Sequence, residues 1–241
     1  MSNKQYDILS VLYPARCIVC NMALWPESKG TCAKCRSMLP VIKGNRCAKC
    51  SKPVESGVLL CSDCMKKRHV FECGFGLWSY NNVARKIIAG IKYSGRKSDI
   101  NYIAAELVYH SAVYIKRWKP DGIIPVPLHK KKLRQRGFNQ AKLLAVACCN
   151  LLGISCITDL LFRTRYTKPQ KYFDDEERRS NLQGAFRINE EALKRYSKVR
   201  TVVLVDDIYT SGSTIDECAA VLKQCGVKKV YFLVLCIGNG Y

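Results

Sequence analysis

The chain has 241 residues, 48% of them hydrophobic, and a formal net charge of +21. That apolar content is ample for a sizeable core and excludes global disorder, and no stretch approaches the roughly 18 consecutive apolar residues that span a bilayer. The cationic excess favours a polyanionic partner or phosphorylated ligands, though alone it is a statement about field and solubility.

The length admits one large domain or a core domain with an appendage. The N-terminus lacks the long apolar region and small-residue cleavage site of a secretory signal, so a cytoplasmic location is expected. Tyr6 to Tyr13 contains Ile8, Leu9, Val11 and Leu12, enough for a short docking helix.

Fifteen cysteines in a reducing compartment are poor disulfide candidates. Their spacing points to metal instead. Cys17/Cys20, Cys32/Cys35, Cys47/Cys50 and Cys61/Cys64 are four C-x2-C knuckles. Two thiolates at that spacing grip one tetrahedral Zn²⁺ from a tight turn, and two knuckles close the shell. Two zinc sites are therefore expected, paired sequentially or with the knuckles interleaved. Closed all-cysteine shells leave no open position, which makes both sites structural. A region this poor in large apolar residues needs such staples. Cys73 lies beyond the last knuckle, and Cys148, Cys149, Cys156, Cys218, Cys225 and Cys236 fall in apolar patterns as small core residues.

Phe71 to Tyr80 is aromatic and Gly-punctuated, which suits a join to a second domain and its first strand. Val83, Ile87, Ile88 and Ile91 form one helical face, and Ser98 to Trp118 reads as a second helix. Gly122 to Leu128 is a short buried strand ending in prolines. A basic loop, Lys130 to Gln140, follows, and a helix runs from Asn139 to about Leu152. Five cations within Lys130–Arg136 suit a pyrophosphate. The three consecutive lysines read more as a solvated face, whereas Arg136, Asn139 and Gln140 flank a glycine at a helix start. The charged stretch from Leu160 to Phe186 reads as irregular, a lid over the crevice with a helix at Asp174 to Arg179.

The densest chemistry lies in Val202-Val203-Leu204-Val205-Asp206-Asp207, followed by Thr210-Ser211-Gly212-Ser213-Thr214. Four branched apolar residues suit a strand covered on both faces. The small-residue run and the helix start at about Ser213 form a phosphate cradle of backbone N–H groups and helix dipole. Asp206 and Asp207 would repel phosphate, so they suit sugar hydroxyls or a metal. A plainer account covers part of this: Thr214 as N-cap with Glu217 three residues on is a capping box. It leaves the two carboxylates unexplained.

This stretch is similar to the phosphoribosyl pyrophosphate (PRPP) motif of type I phosphoribosyltransferases, in which the acids hold the ribose hydroxyls and the loop binds the 5′-phosphate. The whole chain resembles the ComF family. The resemblance covers the zinc knuckles, Lys92-Tyr93-Ser94-Gly95-Arg96, Pro125-Val126-Pro127, Arg136-Gly137-Phe138-Asn139-Gln140, Arg179/Asn181/Gly184-Ala185-Phe186 and the PRPP motif. It implies an α/β fold: a type I phosphoribosyltransferase-like parallel sheet flanked by helices over residues 73–241, with a double zinc-ribbon module over residues 1–72. It implies PRPP binding by Asp206, Asp207 and Thr210 to Thr214, with Asp206 and Asp207 as the catalytic pair if transfer occurs. A pyrophosphate loop would comprise Val126, Pro127, Arg136, Asn139 and Gln140, and a lid Arg163, Gln170 and Arg179. Mg²⁺ would accompany PRPP. Family members are linked to incoming single-stranded DNA in natural transformation, which makes single-stranded DNA and other DNA-uptake proteins the expected partners. Tyr80, Tyr93 and Trp118, beside cations, are candidate stacking rings. Transfer of phosphoribose to an acceptor and PRPP sensing are the alternative functions.

Overall fold

A computed structural model of the chain describes residues 14–25, 28, 30–93, 99–165 and 184–238. The first half supplies α1 (Ala33–Arg36), α2 (Ser62–Lys66), β1 (Gly74–Ser79), α3 (Asn82–Tyr93), α4 (Asp99–Trp118) and β2 (Gly122–Pro125). The second supplies α5 (Lys130–Arg136), α6 (Gln140–Leu152), β3 (Leu161–Arg163), β4 (Phe186–Ile188), α7 (Glu190–Arg195), β5 (Thr201–Tyr209), α8 (Ser213–Gln224) and β6 (Lys229–Ile237).

Strands β1, β6, β5 and β2 form one parallel sheet in that order, while β3 and β4 pair antiparallel. Residues Val202 to Val205 are fully buried, as a strand covered on both faces requires. Side chains alternate across the strand. Val202 and Leu204 join a core with Ile215, Cys218, Ala219 and Leu222 of α8. Val203 and Val205 join the opposite core with Ile87 of α3, Ile103 of α4 and Leu144 of α6.

Both sheet edges are covered, which removes a template for wrong pairing. On β1, Ile42 N donates to Leu77 O at 3.0 Å and Ser79 N to Pro40 O at 2.9 Å. Arg46 adds hydrogen bonds to the carbonyls of Gly76 and Ile42, both at 2.6 Å, and lies over the Phe75 ring. On β2, Ile123 N donates to Ser155 O and Ile157 N to Ile123 O, both at 2.9 Å. The N-terminal region is thus packed on the sheet. Its first cysteine cluster sits on α4, where Gly30 (φ 69°) lies so close to the Tyr102 ring that a Cβ would meet it at 2.0 Å.

Several boundaries differ from the sequence reading. Strand β5 continues to Tyr209, so both acids lie within it and not beyond it. Lys130–Arg136 is a helix, not a loop: the His129 side chain accepts from Lys131 N at its start, and Gly137 (φ 75°) stops it. Glu190–Arg195 is likewise a helix, capped by Asn189. The Leu160–Phe186 stretch contributes strand β3 and delivers the chain to β4. The helices expected at Tyr6–Tyr13 and Asp174–Arg179 lie outside the described residues. Among the described residues, no helix is long and apolar enough to cross a membrane.

Candidate functional site

The cysteines gather as two clusters, Cys17/Cys20/Cys32/Cys35 and Cys47/Cys50/Cys61/Cys64, with the sulfurs of each within 4.8 Å of one another. The pairing is therefore sequential, not interleaved. The sulfurs of Cys20 and Cys32 are 3.9 Å apart, and those of Cys50 and Cys61 are 3.5 Å apart. Zinc–sulfur bonds of about 2.3 Å in a tetrahedron separate sulfurs by about 3.8 Å, so both clusters fit the ion. The two sites share a build. Arg16 bridges to Ala23 and Arg46 to Pro53, and the residues after the knuckles, Asn21 (φ 62°) and Ser51 (φ 67°), turn left-handed. Acidity within the first cluster is uneven. Burial, then hydrogen bonds with Cys32, Cys20 and Cys17, pushes Cys35 up to about 12. At Cys17 backbone hydrogen bonds outweigh burial and bring it down to about 6. A cation lets all four ionise together. These are structural zinc sites.

At the other end of the chain, Asp206 and Asp207 occupy the carboxyl-terminal part of β5. Alternation sends Asp206 to the α8 face and Asp207 to the face covered by α3 and α6. Asp207 is 9% exposed and is ion-paired with Lys92 from the last turn of α3. Burial pushes the Asp206 carboxyl well above the usual carboxylate range, and the Asp207 charge adds to the shift. Asp207 moves the other way: burial would raise it, but the Lys92 charge outweighs that and holds it below its ordinary value. Burial likewise works against the Lys92 ammonium, and the Asp207 partnership outweighs it, so the lysine is raised. The two carboxyls thus shift in opposite directions, Asp206 toward its neutral form and Asp207 toward its charged form.

Cations surround the pair. Burial lowers the Lys132 pKa, and Arg163, Arg136 and Lys92 lower it further, which places the four in one neighbourhood. Lys132 is half-buried, whereas Lys130 and Lys131 are exposed, so the solvated-face reading holds for two of the three lysines only. Arg136 donates to Gln140 Oε1 at 3.1 Å and to Tyr93 Oη at 3.4 Å, with its guanidinium 5.3 Å from the Tyr93 ring centre. Gln140, 5% exposed, shares a small cavity with Lys92 and Asp207. Asn139 is occupied in holding the loop: its Nδ2 donates to Val126 O and its Oδ1 accepts from Ala141 N, both at 3.0 Å. Val126 N in turn donates to Val205 O at 2.9 Å, and Pro127 lies beside a larger cleft lined also by Phe138, Lys142 and Arg163.

The Thr210–Thr214 run turns at Gly212 (φ 80°), which is the N-cap of α8 and has no side-chain cap. Ser211 and Ser213 are buried with their hydroxyls 2.9 Å apart. The capping box does not form. The left-handed glycine starts the helix before Thr214, and Glu217 instead accepts from Gly184 N at 2.6 Å. A Cβ at Gly212 would meet Tyr209 Oη at 2.6 Å and His69 Cε1 at 3.0 Å.

The sequence reading left Lys92, Lys132, His69 and Asp216 out of the site. Lys92 stood within the Lys-Tyr-Ser-Gly-Arg match, a usable signal; His69 pairs with a residue 147 positions away and had none. Of the candidate lid residues, Arg163 lies within electrostatic reach of Asp206, and Gln170 and Arg179 lie outside the described residues. Of the candidate stacking rings, Trp118 is 6% exposed and stacks on Tyr231, so it belongs to the core, while Tyr80 and Tyr93 stay accessible. Cys148, Cys149, Cys218 and Cys236 are buried as expected; Cys156 and Cys225 are half-buried.

Residues 8–65 match the model of the double zinc ribbon domain, and residues 131–241 that of the phosphoribosyl transferase domain. Fold, cysteine clusters and these matches define a protein that joins paired zinc ribbons to a phosphoribosyltransferase-type sheet. The chain is 30% identical to DNA utilization protein YhgH of Escherichia coli O157:H7 over 227 residues, 92% of this chain and 97% of that protein. Similarity extends to Competence protein F of Haemophilus influenzae (28% identity, 89% and 93% of the two chains) and Competence protein ComFC of Bacillus subtilis (26%, 84% and 81%). The chain belongs to the ComF family.

Metal analysis of the purified protein should find two zinc ions per chain, and Cys50→Ser should retain one and lower the unfolding midpoint. Acid should release both as the thiolates take protons. Asp206→Asn tests the raised Asp206 carboxyl. Above the ordinary carboxylate pKa of about 3.9, the folded chain keeps a proton that the unfolded chain has lost, so wild-type stability should fall as pH rises toward the raised Asp206 value. The asparagine should remove that decline and raise the thermal midpoint in neutral buffer, read across a pH series.

Proposed function

We propose that the crevice at the carboxyl ends of β2 and β5 binds PRPP, and that the protein uses this in handling imported single-stranded DNA during natural transformation. The observation that carries the reading is the buried, lysine-paired Asp207 with the half-buried Asp206 beside it, next to a helix start that no side chain caps. Carboxylates accept hydrogen bonds from ribose hydroxyls, and the backbone N–H groups of Ser211 to Thr214 suit the 5′-phosphate. Lys132 and Arg136 suit the pyrophosphate by charge and by forked donors. Among the described residues, the only groups of three or more metal-ligating side chains are the cysteine clusters. Mg²⁺ would accordingly be held mostly by the phosphates and water, with Asp206 and Asp207 as the suitable protein groups. Bound there, it would neutralise charge on the leaving pyrophosphate.

The names of the relatives, DNA utilization protein and competence protein, support the DNA role. So does the charge of +21. A second reading, transfer of phosphoribose to an acceptor, is supported by the phosphoribosyl transferase domain match. Electrostatic stabilisation by the crevice cations and the carboxylates would then act on the charge that develops as pyrophosphate departs.

Calorimetry with PRPP and Mg²⁺ should give saturable binding to wild type. An Asp206→Asn/Asp207→Asn double variant should lose it by at least about tenfold, the loss of the charge-assisted contact at Asp207, with unchanged circular dichroism. Intact affinity in the double variant refutes the site, and pyrophosphate release with any base or amine acceptor selects the transferase reading. Single-stranded DNA should bind more tightly than duplex, with affinity falling steeply as salt rises; a flat salt series removes the DNA role.

A further inference from the structure

The segment between the second zinc site and β1 grips the phosphate loop. Lys67 Nζ donates to Ser211 O at 3.1 Å and lies 3.3 Å from an Asp216 oxygen. His69 Nδ1 is 2.8 Å from that same oxygen, and Val70 N donates to the other at 2.8 Å. Asp216 belongs to the first turn of α8, so one short stretch holds both ends of the Gly212 turn. The His69 side chain is 1% exposed, its ring edge against Gly212 and its face stacked on Phe71 at 4.6 Å. Phe71 in turn takes a hydrogen bond on its carbonyl from Lys49, which sits inside the Cys47–Cys50 knuckle. Phe71 also packs edge-on against Tyr209 and Phe232. A continuous run of contacts therefore leads from the second knuckle pair to the backbone of Ser211–Asp216.

This segment leaves directly from the second cysteine cluster. α2 carries Cys64, and Lys67 follows at its end. Four cysteines closed on one ion fix where the chain leaves, and the hydrogen bonds to Asp216 carry that placement to the loop. We propose that Lys67, His69 and Val70 form a brace through which zinc at Cys47, Cys50, Cys61 and Cys64 sets the shape of the phosphate loop, with His69 as its positioning residue. The proposal rests on the PRPP reading for its ligand, but the shape of the loop is measurable without ligand. If the loop and the zinc are coupled, the coupling is reciprocal: a phosphate ligand protects the second zinc as much as that zinc favours the ligand.

The test uses the full zinc-loaded chain. His69→Ala should weaken PRPP binding about tenfold, the range for removing one partner of a buried charge-assisted hydrogen bond, at two zincs per chain. His69→Asn, which keeps a donor close to the Nδ1 position, should restore most of the affinity. In ligand-free protein, hydrogen exchange over residues 209–217 should be faster in His69→Ala than in wild type or His69→Asn. PRPP should slow chelation of one of the two zincs in wild type and not in His69→Ala. Unchanged exchange overturns the brace, even if affinity falls, because His69 would then act on the ligand itself. Equal protection of zinc in wild type and His69→Ala overturns the coupling. If wild type takes no PRPP, the ligand reading fails, while the exchange comparison still decides whether His69 shapes the loop.

Discussion

Two adjacent carboxylates inside a strand whose preceding residues are fully buried are the constraint around which this protein is arranged. A buried unpaired carboxylate costs several kcal/mol. The chain meets that cost differently on each face of the sheet. Asp207 receives a lysine from α3, and the Asp206 carboxyl is pushed by burial toward its neutral form. Lys92 reaches the carboxyl-terminal part of β5 from α3. The crowding of Lys132, Arg136 and Arg163 nearby is a like-charge cost that an anion would relieve.

The zinc ribbons have a second part in this arrangement beyond folding themselves. A parallel sheet of four strands has two open edges, and the N-terminal region closes one of them through Pro40, Ile42 and Arg46. Cys47 and Cys50 join the same apolar core as Val202, Leu204 and the face of α8. The first cluster, in contrast, makes its own small core of Cys17, Leu24 and Cys35 and meets the sheet region through α4. The two ribbons are alike in local geometry and unlike in what they support.

Local periodicity carried most of the fold. The apolar runs of β5 and β6, the helical faces of α3 and α4, and the four knuckles were legible because each is a short-range pattern. The zinc pairing was not, since spacing alone permits both pairings and only the fold brings Cys20 to Cys32. The N-cap at Gly212 was misread because Thr214 and Glu217 satisfy a local rule that a left-handed glycine two residues earlier overrides. The α5 helix was hidden in a run of cations whose start and stop signals, His129 and Gly137, are weak individually. His69 was missed because its partner lies 147 residues away, beyond any pattern a window can hold, whereas Lys92 was marked only by the Lys-Tyr-Ser-Gly-Arg match and not by its partner.

The strand order has a consequence for how the chain reaches this state. The two central strands, β5 and β6, are made after β1 and β2, so neither earlier strand has its sheet partner while it leaves the ribosome. Parallel pairing is slow because its contacts close long loops, and unpaired apolar strands are exposed to aggregation meanwhile. A metal-closed ribbon needs no distant partner to hold its shape. The ribbon whose backbone pairs with β1 precedes it in synthesis, so the strand that waits longest for β6 has one backbone partner already made when it emerges.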